Sequence, residues 1–441
     1  MAFITFITPY KPIICGIADY SHFIVRECYP GTCDVVSFNL DNYGVPLHME
    51  PAPLTTSVWY GIPNRDDFSA DSILEGLKPH EDHVLWFQHE FGIWPDSAKF
   101  VEMLRDLDQV KVISLHTLHF QSVETPYGLR RQEYRFLGTM LPHTDAITVF
   151  SDGVYEAVTS AFPGYSDKVH VLRHGAHVYP SVARMSKAKA KARIHEYLVN
   201  ESDLDKVSKK NLKEQGVFLD PDTTVIGTAG FITASKGTEL LFQARNRLQQ
   251  MLPERKIAAV RAGFLRESES SIDIKAATEY RINYNGPGEF FLETYVPADM
   301  LPIMLRAWDI SFYWPSDCTQ SGIVAHALGA GATIACRDME GVGETVKMAG
   351  GLTSADLDNL VAGIKDLVLF PRFKKMMSDR ALQYAYEFSW RNQALAHFSL
   401  AEQLCRSRVR GLVVPDLPVA TIPDLTGQTP IVESSETALV A

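Results

Sequence analysis

The stretch TTVIGTAGFITASKG, residues 223–237, begins as an apolar β-type run, passes through a loop of small residues and ends on Lys236 and Gly237, where a helical pattern starts. A strand that feeds a loop and then a helix is half of a βαβ unit. Onward from it come a helix expected over 237–252, the run KIAAVRAGF (256–264), a helix around 301–308 and the run DISFYWP (309–315). Another helical stretch and the run ATIACRD (332–338) follow. This half of the chain predicts a Rossmann-like domain over 223–385.

The same rhythm appears upstream. ITFIT (4–8), a helix from Asp19 to Glu27, DVVSF (34–38), HVLWFQ (83–88), VKVISLH (110–116), AITVFS (146–151) and VHVLRHG (169–175) alternate apolar runs with helical stretches. Near-continuous apolar strands belong to parallel sheets covered on both faces. The fold class is therefore α/β with a first doubly wound domain over 1–180. Between the two, 181–222 reads as a linker or insertion: MSKAKAKARIHEYL (185–198) resembles a solvated helix, and 202–220 has poor periodicity. A helix around 388–406 fills the segment 386–408. The tail 411–441, rich in Pro, Thr and acidic residues, is expected to be disordered.

A length of 441 residues suits two domains, and 46% hydrophobic against 22% charged residues suits large cores. A net charge of −11 weighs against nucleic acid as a partner, while a local basic pocket for one diphosphate remains compatible with it. The start MAFITFITPY lacks the basic and apolar regions of a signal peptide, and no long apolar window follows, which gives a cytoplasmic expectation. No basic amphipathic stretch argues for peripheral membrane contact. The six cysteines form no CxxC pair, so reduced thiols are expected.

Ligands of open α/β sheets bind beyond the carboxyl ends of the strands, so the polar residues closing these runs are the site candidates. Gly16, in KPIICGIADY (11–20), permits either a tight turn or close approach to an anion. No GxGxxG is present there, which weighs against NAD. In WFQHEFGIW (86–94), His89 is either an active-site group or a buried, hydrogen-bonded histidine. LHTLHF (115–120) adds His116, Thr117 and His119, on the acceptor side or as loop caps. Lys236 and Gly237 open a helix, where lysine and free amides can hold a diphosphate. In WPSDCTQSGIVAHALGAGATIACRD (314–338), Asp317 offers a carboxylate to sugar hydroxyls, and Ser321, Gly322 and Ile323 offer amides at a helix start. The three DLD runs, at 106–108, 203–205 and 356–358, lie in polar helical contexts and read as surface charge, so no metal site is expected.

CGIADY, QHEFGIW, LHTLHF, DAITVFSDGVYEAV with VHVLRHG, GFITASKG, SGIVAHALGAGATIACRDMEGVGETV and FSWRNQALAHF occur in an order that resembles the large retaining GT-B glycosyltransferase family. The resemblance is to the family 4-like type, which includes bacterial mannosyl- and glucosyltransferases of polysaccharide synthesis, and it spans most of residues 1–408. It implies two Rossmann-like domains facing across a cleft, with a last helix crossing back to the first. It also implies metal-independent transfer of a hexose, with retention, from a UDP- or GDP-sugar to a glycan, lipid-linked or small-molecule acceptor, the nucleotide sugar being substrate and no cofactor being needed. By that resemblance Gly16 approaches the donor phosphate, His89 contacts the donor sugar and Lys236 binds the diphosphate. His89, Lys236 and Asp317 become the catalytic expectation, and Gly16, Lys236, Gly237, Asp317, Ser321, Gly322, Ile323 and His326 the donor-binding one. Phe231 stands in the region where the family often has an arginine, and Cys318 and His326 occupy the two positions of its E-x7-E motif, with Asp317 next to the first. These departures leave a catalytically inactive sugar-nucleotide-binding subunit open as a further reading, and a GT-B nucleotide-sugar epimerase is the alternative among enzymes.

Overall fold

A computed structural model describes residues 2–43, 56–80, 83–265 and 270–410, the side chains of 409 and 410 excepted. The tail expected over 411–441 lies outside the described residues. The first sheet comprises β1 Phe3–Ile7, β2 Cys33–Phe38, β3 Ser57–Ile62, β4 His83–His89, β5 Val110–Leu115, β6 Ala146–Val149 and β7 Val169–Val171. The second comprises β8 Thr223–Ala229, β9 Lys256–Gly263, β10 Glu289–Glu293, β11 Ile310–Tyr313, β12 Ile334–Arg337 and β13 Leu352–Ser354. Their orders are β3-β2-β1-β4-β5-β6-β7 and β10-β9-β8-β11-β12-β13, and the pairings are parallel.

Every residue of β1, β2 and β4 is buried, because helices cover both faces of the sheet. Each sheet reverses direction at its first strand, between β1 and β4 and between β8 and β11. Loops diverge there and leave a crevice at the strands' carboxyl ends. The helix Trp390–Arg410 returns from the second lobe and lays Trp390, Ala394, Leu400 and Leu404 against Ile4, Phe6 and Trp86 of the first. Each large side chain buried in this way contributes about 1.5–3 kcal/mol.

The segment expected as a linker is instead built into the second lobe. Helices Lys187–Glu196 and Lys206–Gln215 and the turn between them place Ala190, Ile194, Leu198 and Leu212 in one core with Val225, Met304 and Trp308. The lysine run is not a fully solvated face. Lys191 is buried, pairing with Asp309 at 2.7 Å, and Lys187 donates to the Trp308 carbonyl at 2.6 Å, burial lowering its pKa to about 7. Two DLD runs supply helix caps: Asp205 accepts from the Val207 and Ser208 amides, and Asp356 from that of Asn359.

The chain passes between lobes at two places that touch. Ala176 and Ser389 form a parallel bridge, closed by Ala176 N–H to the Phe388 carbonyl at 2.8 Å and Trp390 N–H to the Ala176 carbonyl at 3.3 Å. Among the described residues, no helix is long and apolar enough to cross a membrane.

Candidate functional site

In the second lobe, β8 runs into a loop that ends at Gly237, the cap residue of helix Thr238–Met251. Gly237 has φ +64°, and a Cβ there would lie 2.0 Å from the Trp314 carbonyl oxygen, so the position requires glycine. That contact, with Ser316 N–H to the Ser235 carbonyl at 2.9 Å, joins the loops after β8 and β11. No side chain caps the helix, and the amides of Thr238 and Glu239 stay available to an anion, while that of Leu240 donates to the Gly237 carbonyl at 3.0 Å. Half-buried Lys236 stands beside them, and its ammonium has no hydrogen-bond or ion-pair partner among the described residues. Its charge acts on the Cys318 thiol: burial raises that pKa, and Lys236 works against the rise. Across the crevice begins the helix Gly322–Gly329. Ser321 caps it by accepting from Val324 N–H at 3.3 Å, exposed Gly322 has open space around it, and half-buried Ile323 packs near Gly230.

The first lobe presents a different surface. Gly16 opens the helix Gly16–Val25 after β1, is exposed, and has nothing within 4 Å of where a Cβ would lie. His89 closes β4 but is 1% exposed, stacked on Phe136 at 4.4 Å and edged by Phe91 and Phe100. Burial lowers its pKa to about 3, and its Nε2 has no hydrogen-bond partner among the described residues. The structure therefore sets His89 in an aromatic box behind the crevice wall. His116 is also buried, its Nε2 2.7 Å from Gln88 Oε1 and its pKa well below the ordinary value through burial. Thr117, half-buried, follows it.

His119 reaches the opposite lobe. Its Nδ1 lies 2.5 Å from Glu133 Oε1 and its Nε2 3.1 Å from Asp317 Oδ1. Burial pulls the His119 pKa down, but the Glu133 and Asp317 carboxylates outweigh it and hold the pKa above the ordinary value. Arg130 donates to the other Asp317 oxygen at 2.7 Å. For Asp317 burial acts upward, and Arg130 and His119 together bring its pKa below the usual carboxylate range. The structure thus brings His119, Asp317, Lys236, Gly237 and Ser321 to loops around one interlobe crevice. His326 lies deeper, where it stacks on His177 at 3.8 Å and its Nδ1 sits 2.5 Å from the Tyr179 hydroxyl.

Two carboxylates that sequence reasoning missed complete the seam. Glu340, at φ +44°, accepts from the Phe120 and Gln121 amides at 2.8 and 3.2 Å, and its own N–H donates to Gln121 Oε1 at 3.1 Å. Glu344 accepts from the Asp152 and Gly153 amides at 2.8 and 3.0 Å, at the N-terminus of helix Asp152–Ala161, and pairs with Arg173. Thr319 adds a hydroxyl donated to the His116 carbonyl at 2.9 Å. Two glutamates inside the small-residue run DMEGVGETV were the available signal. No group of three His, Cys, Asp or Glu among the described residues has a metal-holding arrangement.

No family model and no curated protein sequence matches the chain. Solved structures do. A UDP-forming alpha,alpha-trehalose-phosphate synthase from Burkholderia vietnamiensis superposes with a TM-score of 0.64 at 12% identity, over 93% of this chain and 99% of that one. Anabaena HepE in complex with UDP gives 0.61 at 13%, over 91% and 100%. A Burkholderia xenovorans alpha,alpha-trehalose-phosphate synthase (UDP-forming) in complex with glucose-6-phosphate gives 0.61 at 11%, again over 91% and 100%. The two-lobed architecture of this chain is the GT-B fold of these neighbours.

Proposed function

We propose that this chain is a retaining hexosyltransferase that takes its sugar from a UDP- or GDP-sugar. The observation that carries the reading is the crevice after β8: a Lys236 ammonium without a partner among the described residues, beside the uncapped amides of helix Thr238–Met251. A lysine and a helix N-terminus are an anion site, and a nucleoside diphosphate is the anion suited to a GT-B second lobe. The neighbours are a synthase that forms UDP and a protein bound to UDP, which supports the same donor class.

In this mechanism the acceptor enters over the first lobe, and its hydroxyl oxygen attacks the anomeric carbon on the face that carries the diphosphate. As the new C–O bond forms, the bond to the phosphate oxygen breaks and its electron pair stays on that oxygen. The departing oxygen takes the acceptor's hydroxyl proton. Charge accumulates on the diphosphate as it leaves, so Lys236 and the helix amides stabilise the transition state more than the bound donor. Because they carry this charge, the mechanism needs no divalent metal. Asp317, held ionised by Arg130 and His119, accepts from sugar hydroxyls at the seam in this reading. Closure of the lobes over the donor excludes water, which otherwise competes as acceptor. The acceptor class is a sugar or sugar phosphate, as with the glucose-6-phosphate bound by one neighbour, or a lipid-linked glycan.

Thermal stabilisation of the whole chain by UDP-, GDP- and ADP-sugars, with Lys236→Ala alongside, tests the reading. A shift with one donor that vanishes in the variant supports it. No shift with any donor refutes it. Binding without transfer to any acceptor selects the inactive sugar-nucleotide-binding alternative, which the non-acidic Cys318 and His326 motivate.

A further inference from the structure

The run KIAAVRAGF opens on exposed Lys256, and its second charged residue, Arg261 on β9, lies amid small and branched apolar ones and is 1% exposed. Its guanidinium meets no carboxylate among the described residues. It donates to the Gly230 carbonyl through both terminal nitrogens, at 3.2 and 3.1 Å, to the Phe231 carbonyl at 2.8 Å and to that of Ala262 at 2.5 Å. Its Nε donates to Thr238 Oγ1 at 3.3 Å. Gly263 presses the same place from beneath, since a Cβ there would lie 1.9 Å from the Gly230 oxygen.

A buried cation without a counter-charge costs several kcal/mol. Here it also sits under the first residue of helix Thr238–Met251, where the helix dipole is itself positive. The acids nearby are otherwise engaged: Asp273 accepts from Ala234 N–H at 2.7 Å, and Glu239 from the Tyr280 hydroxyl at 3.3 Å. Two like fields stacked beneath a free lysine are mutually unfavourable until an anion arrives above them. The fork geometry explains the choice of arginine, since five N–H groups can clasp consecutive carbonyls where an ammonium cannot.

We propose that Arg261 is a positioning residue for the donor diphosphate, clasping the root of the loop that presents Lys236 and adding a buried positive charge beneath the phosphate-binding helix. It does from below what an arginine in the region of Phe231 would do by direct contact. The inference rests on the donor site proposed above.

The test titrates UDP, GDP and uridine into the full-length chain, with Arg261→Met, Arg261→Lys and Lys236→Ala as variants and circular dichroism as the folding check. Arg261→Met is expected to weaken nucleoside diphosphate binding at least tenfold while leaving uridine binding unchanged. A general loss of structure would weaken both. Arg261→Lys keeps the charge but not the fork, and is expected to fall between Met and the unaltered chain. With the donor identified, donor KM should rise more than kcat falls. If Arg261→Met does not fold, Arg261→Lys decides: diphosphate binding equal to that of the unaltered chain overturns the proposal. Diphosphate binding lost in Lys236→Ala but intact in a folded Arg261 variant overturns this inference alone. No nucleotide binding by the unaltered chain overturns the donor site and this inference together.

Discussion

Two polar regions face each other in the crevice, and they are wired oppositely. The seam sends second-lobe carboxylates, Asp317, Glu340 and Glu344, onto first-lobe donors, and each finds at least two partners. The loop after β8 gathers cations and helix amides around Lys236 and leaves them without counter-ions among the described residues. A satisfied network contributes to stability, whereas unsatisfied positive charge near a cleft stores binding capacity for an anion. The contrast separates carboxylates that bind one lobe to the other from a lysine ammonium that has no partner among the described residues.

The sharpest way to break the contrast is Lys236→Ala. If Lys236 serves a ligand and not the fold, transfer should fall roughly 100- to 1,000-fold while the melting temperature of the free chain is unchanged; a lowered melting temperature would place it among the structural contacts. The reverse should hold for Glu344→Gln. Losing its charge at the helix N-terminus and at Arg173 should cost about 2 kcal/mol in urea unfolding, with nucleotide affinity within twofold of the parent by calorimetry. Gly237→Ala belongs to both regions, because its φ and the Trp314 carbonyl forbid a side chain. Strain of roughly 1–3 kcal/mol and weaker nucleotide binding should appear together.

The smallest effect is the alkaline limb of a pH dependence that has two. His119 has a raised pKa in the folded chain, so the stability it contributes is full below the unfolded value of about 6.5 and is lost as pH rises through the folded value. The buried histidines run the other way. Burial lowers His89 to about 3 and His174, His326 and His397 to about 4, so the unfolded chain binds more protons below about 6.5 and stability declines from there towards pH 4. Urea midpoints measured with His119→Gln should lose the alkaline limb and keep the acid one.

Much of the fold is legible in the sequence because central parallel strands are apolar on both faces, as in ITFIT and HVLWFQ. That same property hides the side-chain direction. With no alternation along His83–His89, nothing local tells whether His89 points at the crevice or into Phe136. The segment 187–219 misleads for a different reason: Lys191 reads as solvated until Asp309, 118 residues later, supplies its partner. Lys236 and Asp317 were readable as polar residues closing strands. Glu340 and Glu344 were not, since their partners are amides of the other lobe.

The paired passage at Ala176 and Ser389 has an engineering consequence. Residues 177–388 leave and re-enter the first lobe through neighbouring backbone, so the second lobe is topologically an insert spliced into a host that owns both chain segments outside it. The two splice points are one hydrogen-bonded step apart, and the insert can be exchanged for a homologous module without lengthening or rerouting the host.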